Sequence, residues 1–476
     1  MEFKAEMCDR ELYNKDLAPT DEKERTWTSY NYMALWLGMS ICIPTYMMAA
    51  GLIAGGMNWK QAIFTIFLGN LIVLIPMILN GHPGTKYGIN FPVFARSSFG
   101  VRGANIPAIM RAIVACGWFG IQTWIGGEAI NSLIIKIIPG WSDFSLGIWI
   151  SFAIFWFMNM WIVWHGMEMV KKFEGISSPI LIVSSLVLLG WAIYSAHGLG
   201  PIVAQPSKFK TFGEFFAFFI PSLTGVIGFW ATLSLNIPDF TRFSKNQREQ
   251  IVGQSIGLPA SMVFFSLVGM FTASATMIVF GEAIWDPVVL ISKFNNPLVA
   301  IIGVIVVSIV TLTTNIAANV VSPAYDFTNL FPKWVDFKRG ATITGIIGII
   351  MMPWKLLADY STYINNWLVG YSAFLGPIAG ILITDYYLVR KCDLAVHDLY
   401  RLNGRYSFSN GYNWKAVGSL VFGIVLGLIG KVVPSLAVLY NYAWFVGFFA
   451  SSILYYVLMK YSLDVGSYTT AETSND

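Results

Sequence analysis

Apolar stretches long enough to cross a bilayer recur along the whole chain, and this recurrence constrains the fold more than any other feature. A helix needs ~20 mainly apolar residues to span the hydrocarbon core of a membrane. Such stretches fall near 30–54, 61–80, 104–136, 146–165, 176–197, 213–236, 255–280, 296–320, 339–357, 363–389, 414–432 and 437–460. They predict an all-α integral membrane protein with twelve transmembrane helices. In 476 residues they leave short connections and no room for a large soluble domain. Charged residues make up only 12% of the chain, against about 25% in soluble domains. That excludes an ordinary soluble enzyme and a disordered chain. A net charge of +4 is too small and too dispersed to form a nucleic-acid-binding face.

An even number of spans puts both termini on one side. Lys and Arg accumulate in cytoplasmic loops. With a cytoplasmic N-terminus, all but seven of the 30 basic residues fall inside, the seven being Lys60, Lys136, Lys208, Lys210, Lys293, Lys355 and Lys431. The expected arrangement is a multi-pass protein of the cell membrane with cytoplasmic tails at 1–28 and 461–476 and a cytoplasmic loop at 391–413. Residues 1–28 are charged and lack the apolar run of a cleavable signal peptide.

Two spans carry interruptions. The first contains Gly38 through Pro44 and Thr45, and the sixth contains Pro221, Gly225 and Gly228 ahead of Trp230. They lie five spans apart, so 29–197 and 213–390 read as two five-helix halves, with 414–460 holding two further helices. Matching interruptions mark inverted-repeat transporters with a midplane site. Ordinary proline and glycine kinks give the same pattern, and spacing alone leaves the two readings level.

Several chemistries lack their motifs. No Gly-Lys-Ser/Thr follows a glycine loop, and Gly81 to Gly88 reads as a turn, so an ATP-driven pump is not indicated. His165-Gly-Met-Glu168 has the wrong spacing for a metalloprotease, and His82, His165, His197 and His397 lie near predicted loops. Cys8, Cys42, Cys116 and Cys392 form no C-x-x-C pair. No filter-like repeat supports a channel. The chain is not expected to be an enzyme or to need an organic cofactor.

The informative polar residues sit in mid-span. Trp118 and Gln122 are four apart and share a helix face. Trp230 follows the second interruption, and the eighth span carries Thr313, Thr314, Asn315 and Asn319. Indole faces suit stacking on a flat ring, and carboxamides offer a donor and an acceptor to a cyclic amide edge. A mid-membrane carboxamide is costly unless paired. This set suits a small, neutral, planar heterocycle. Adjacent Thr hydroxyls beside carbonyls freed by a broken helix suit sodium, although such hydroxyls also bond back to the i−4 carbonyl. Glu128, about one and a half turns beyond Gln122, offers a proton site as the alternative; it reads equally well as a hydrated residue at the outer mouth.

Trp118 to Trp124, Asn236 to Phe243, Thr313 to Tyr325, Asn90 to Gly100 and Leu375 to Gly380 resemble, in order, motifs of the nucleobase:cation symporter-1 family. The resemblance runs from about residue 20 to 460. It implies a LeuT-type fold, with helices 1–5 and 6–10 as inverted repeats plus two extra helices. It also implies secondary transport of uracil, allantoin, hydantoins or related compounds. By that resemblance Trp118 and Trp230 stack on the substrate, Gln122 and Asn319 hydrogen-bond it, and Leu368 gates the site. Sodium is then held by the Gly38, Ile41 and Val310 carbonyls and the Thr313 and Thr314 hydroxyls. Cys42 stands where the hydantoin carrier has glutamine near its substrate, and Phe229 where it has glycine. Bacterial allantoin permeases carry His-Asn where this chain has Ile41-Cys42. The surroundings of Trp118 and Glu128 resemble uracil carriers more closely. The expectation is a monomeric importer of a uracil-like pyrimidine, with allantoin or hydantoin next, coupled to sodium or else to protons. An uncoupled facilitator is the rival.

Overall fold

The computed structural model describes residues 6 and 8–472 apart from 139, 166, 295 and 360, without the side chains of 167–178 and 462–472. The predicted fifth span and C-terminal tail therefore lie partly outside the described residues. The helices that frame the molecule are α1 (Ser29–Ser40), α2 (Ile43–Ala54), α3 (Trp59–Tyr87), α4 (Phe91–Phe99), α5 (Asn105–Ile137), α6 (Gly147–Trp164) and α7 (Met167–Ser195). They continue as α8 (Phe212–Phe229), α9 (Ala231–Asn236), α10 (Gln247–Phe280), α11 (Pro297–Asn319), α12 (Val321–Leu330) and α13 (Phe337–Ile350). The last three are α14 (Val369–Ile383), α15 (Trp414–Val432) and α16 (Ala443–Glu472). Seven-residue and six-residue π-helical turns, Thr362–Leu368 and Thr384–Val389, extend α14 at its two ends.

Among the described residues, nine helices are long and apolar enough to cross a membrane, and α1 with α2 makes a tenth if the bent pair is one span. Two predicted spans have other bounds than expected. The span placed at 339–357 ends at Ile350, because Met352 takes a left-handed conformation (φ 51°) and Pro353 starts a new turn. Proline disfavours helical backbone in the residue before it. The span placed at 437–460 begins only at Ala443, after a separate turn at Ala437–Asn441, and its helix runs on to Glu472.

α1 and α2 meet at 62°. Cys42 is the extended residue at the joint, and Pro44 falls in the first turn of α2, where its missing N–H costs nothing. α8 and α9 are separated by Trp230 alone, whose backbone leaves helical geometry (φ −101°, ψ 5°). α1 and α2 pack along α10, while α5 packs against α6, α11, α12 and α13. Small residues allow these approaches, as is usual where helices associate in membranes. A Cβ on Gly120 would come within 2.3 Å of the Gly348 carbonyl on α13, and one on Gly228 within 2.7 Å of the Leu368 carbonyl. α14 packs against α15 and α16.

One end of the bundle is closed by the N-terminal segment and the loops. The Asp9, Thr20 and Trp27 amides donate to the carbonyls of Tyr400, Gly88 and Phe243, and Asn14 donates to Pro332 O. Leu12 and Leu17 are buried there. The loop at 391–413 is packed rather than loose, with Leu399, Tyr400 and Tyr406 fully buried and Arg96 over the Tyr400 ring. Near this end Arg111 on α5 pairs with Asp326 on α12 at 2.9 Å, and both side chains are sealed from solvent.

Breaking that pair from one side leaves a buried charge alone. Arg111→Leu is expected to cost about 3–5 kcal/mol, read as a lower melting temperature of the detergent-purified protein. Adding Asp326→Leu should recover most of the loss.

Candidate functional site

The interruptions of α1–α2 and α8–α9 face a single cavity between them, walled by α5 and α11. Its lining is Met39, Cys42, Pro44, Trp118, Gln122, Phe229, Trp230, Thr232, Leu233, Thr314, Ala318 and Asn319. Among the described residues none of the lining side chains carries a full charge. The space left between these side chains is small, about 30 Å³.

Trp118 is held by its edge. Its Nε1 donates to the Tyr371 hydroxyl at 3.3 Å, and that hydroxyl donates to Gly228 O at 2.8 Å, just before the break in the sixth span. The indole also meets the rings of Tyr363, Trp367 and Tyr371 edge-on. Trp230 lies edge-on to Trp36 at 5.1 Å, and its Nε1 has no hydrogen-bond partner although the residue is buried. Phe229 stands beside both indoles, 5.2 Å from Trp118 at 73° and 5.0 Å from Trp230 at 83°. A phenyl ring therefore occupies the neighbourhood that two stacking tryptophans would otherwise offer to a flat ligand.

The polar groups of the wall are incompletely used. Gln122 is buried with its Oε1 unpaired. Asn319 donates to Asn315 Oδ1 at 3.1 Å. Cys42 Sγ lies 3.1 Å from Thr45 Oγ1. Buried polar groups without partners cost about 1–3 kcal/mol each, and a site that awaits a polar ligand is where such a cost is tolerated.

The break also releases carbonyls. In an unbroken helix the Cys42 amide would serve Gly38 O and the Thr45 amide would serve Ile41 O. Here Cys42 N–H donates to Ser40 O and Thr45 N–H to Cys42 O, so the Gly38 and Ile41 carbonyls lose their usual donors. α11 packs against both α1 and α2. On α11 the Thr314 hydroxyl is buried and unpaired, and the Thr313 hydroxyl donates to Ile309 O at 2.8 Å, keeping its lone pairs. Val310 lies one turn earlier in the same unbroken helix. Hydroxyls and freed carbonyls are oxygen donors of the kind a hard monovalent cation takes.

Two expected residues stand elsewhere. Leu368 does not line the cavity: it is fully buried one layer back, against Gly225 and Gly228 of α8. Glu128 lies farther along α5, part-buried and outside the lining. Sequence reasoning missed Met39, Thr232 and Tyr371. Thr232 follows Trp230 by two residues and had a legible hydroxyl; Tyr371 reaches the site only through the packing of α14 on α8.

The comparisons with known proteins agree with this architecture. Residues 19–447 match the family described as "Permease for cytosine/purines, uracil, thiamine, allantoin". The allantoin permease of Bacillus subtilis is 44% identical over 94% of this chain and 93% of its own length. The purine-uracil permease of Arabidopsis thaliana is also 44% identical, over 95% of this chain and 78% of its own. The inward-facing structure of Mhp1 superposes with a TM-score of 0.80 at 26% identity, covering 95% of each chain. The closed form of Mhp1, a nucleobase-cation-symport-1 transporter with bromovinylhydantoin bound, superposes at 0.78. The chain is thus a helical membrane transporter with a LeuT-like fold. From its motifs, its broken helices and these likenesses together, it belongs to the nucleobase:cation symporter-1 family of permeases.

Proposed function

We propose that the protein imports a small, neutral, planar heterocycle by sodium symport through alternating access, with uracil-like pyrimidines as its substrates. The observation that carries this reading is the convergence of Trp118, Trp230, Gln122 and Asn319 on one cavity whose lining has no charged side chain. The substrate is gripped by its π faces and by amide-type hydrogen bonds rather than by ion pairs. The tightness of the cavity and the presence of Phe229 favour a compact ring over allantoin, which carries a ureido arm. Allantoin is the second reading, favoured by the 44% identity to the Bacillus subtilis allantoin permease.

Sodium would bind between the carbonyls of Gly38, Ile41 and Val310 and the hydroxyls of Thr313 and Thr314. Binding there joins α1, α2 and α11, the elements that also wall the substrate cavity. In this reading twelve spans form two five-helix repeats and two extra helices in the cell membrane, both termini cytoplasmic, and the protein works as a monomer. The end of the bundle that holds the N-terminal segment also holds Arg96, Arg102 and Arg390, as the positive-inside rule requires of a cytoplasmic face. Leu368 acts from behind α8 as part of the moving wall.

Uptake of labelled uracil, allantoin and hydantoin into proteoliposomes tests the reading. Uracil should accumulate above equilibrium only when a sodium gradient is imposed. Equilibration at the same rate without a gradient would identify an uncoupled facilitator.

Gln122→Ala and Asn319→Ala should each weaken substrate binding by about 1–3 kcal/mol, seen as a five- to roughly hundredfold loss in kcat/KM for uptake by correctly folded protein. Phe229→Ala should shift preference toward allantoin, measured as a higher allantoin-to-uracil uptake ratio than in wild type.

The coupling ion separates by mutation. Sodium-driven uptake should survive Glu128→Gln and fail in the Thr313→Ala, Thr314→Ala double variant. The opposite pattern, with uptake insensitive to replacement of sodium by choline, would assign coupling to a proton at Glu128.

A further inference from the structure

Asn315 lies one helical turn before Asn319 on α11, faces away from solvent and is fully buried. Its amide nitrogen has three acceptors, each at 3.2 Å: Phe119 O, Thr123 Oγ1 and Asn159 Oδ1. Its own oxygen accepts from Asn319 Nδ2 at 3.1 Å. The two ends of a carboxamide have nearly the same shape, so what matters is whether the neighbours dictate which end points where.

They do. Phe119 O is a carbonyl and only accepts. The Thr123 hydroxyl spends its proton on that same carbonyl at 2.7 Å, which leaves lone pairs toward Asn315. Asn159 spends its amide N–H on Phe155 O at 2.9 Å, so its oxygen is the end turned to Asn315. All three neighbours therefore present lone pairs. Turning Asn315 over would set its oxygen against three oxygens at a fully buried position, and buried mismatches of that kind are costly. The Asn315 nitrogen must face α5 and α6, and its oxygen must face Asn319.

Asn319 then has to give a hydrogen to Asn315, and its carbonyl oxygen is left as the free acceptor on the cavity wall. Resting on the reading of a heterocycle carrier, we infer that Asn315 is a positioning residue that fixes the polarity of Asn319, so that the Asn319 oxygen accepts from a ring N–H at this edge, a bond that an N-alkyl group there forfeits. The ligand class is a cyclic imide, lactam or ureide bearing a free N–H. The directionality originates at two backbone carbonyls, Phe119 O and Phe155 O, and is handed inward through side-chain amides.

Binding of labelled uracil to purified protein in nanodiscs tests this, with N1-methyl- and N3-methyluracil as competitors. Wild type should bind uracil and lose about tenfold or more for at least one methylated ring. The decisive variant is Asn319→Asp. A carboxyl there must keep a proton to donate to Asn315 Oδ1, so uracil binding should be weak at pH 7.5 and rise about tenfold or more by pH 5.5, relative to wild type over the same range. Cys42 on the cavity wall and Glu128 farther out are present in both proteins, so the comparison cancels them. In the Asn315→Leu background that recovery should vanish, and elution as a single folded species checks each variant. If Asn319→Asp binds uracil like wild type at pH 7.5 with no gain on acidification, Asn315 is donating instead and the inference is overturned alone. Equal affinity of wild type for uracil and both methylated rings also overturns it alone. Failure of wild type to bind any of the rings would overturn the heterocycle reading and this inference with it.

Discussion

A polar group sunk into the hydrocarbon layer must find its partner inside the protein, and the arrangement of this molecule follows from where that demand is met and where it is left open. Most spans meet it by remaining helical. Among the described residues two breaks stand out, the joint at Ile41–Cys42 and the single residue Trp230, and both are turned inward, where protein surrounds them. The joint re-routes the Cys42 and Thr45 amides and frees the Gly38 and Ile41 carbonyls. The Trp230 break presents an indole with its N–H unspent. Irregular backbone thus supplies the cavity with groups that a regular helix would have consumed.

The rest of the framework serves to hold those breaks at the right depth. α5 is long and unbroken, and its glycines let it lie close to α13 and α6, so Trp118 and Gln122 are carried on a rigid rod. α11 presents its Thr and Asn residues from the opposite wall. α8 is held against the start of α14 by the contact of Gly228 with Leu368. The Tyr371 hydroxyl on α14 bridges Trp118 to the carbonyl before the second break. Movement of α14 relative to α8 is therefore felt directly by the indole on α5.

Much of this was legible because membrane helices announce themselves by length. The face shared by Trp118 and Gln122 followed from helical periodicity alone, and the cost of mid-membrane carboxamides pointed to Gln122 and Asn319. Boundaries were harder. In the apolar run 339–357 Pro353 was the one legible sign of a stop, and the left-handed turn at Met352 was not readable. The loop at 391–413 was expected only as a cytoplasmic connection, and its sequence did not show that Tyr400 and Tyr406 are buried, with Tyr400 bonded to the distant Leu17 carbonyl. Arg111 and Asp326 are 215 residues apart, and no spacing rule pairs them. Leu368 illustrates the same gap: its place on the helix was readable, but whether it faces the cavity or the layer behind depends on how α14 leans on α8. Asn315 was visible as one polar residue among several, while its role depends on carbonyls contributed by two other helices.

Phe229 has a consequence for energetics that reaches beyond shape. With its phenyl edge-on to both indoles, the protein itself supplies aromatic contacts where a flat ligand is proposed to bind. A flat ligand at this site would exchange a tethered ring for its own, so its net gain would come chiefly from the unspent Trp230 N–H and Gln122 Oε1 and much less from new aromatic contact.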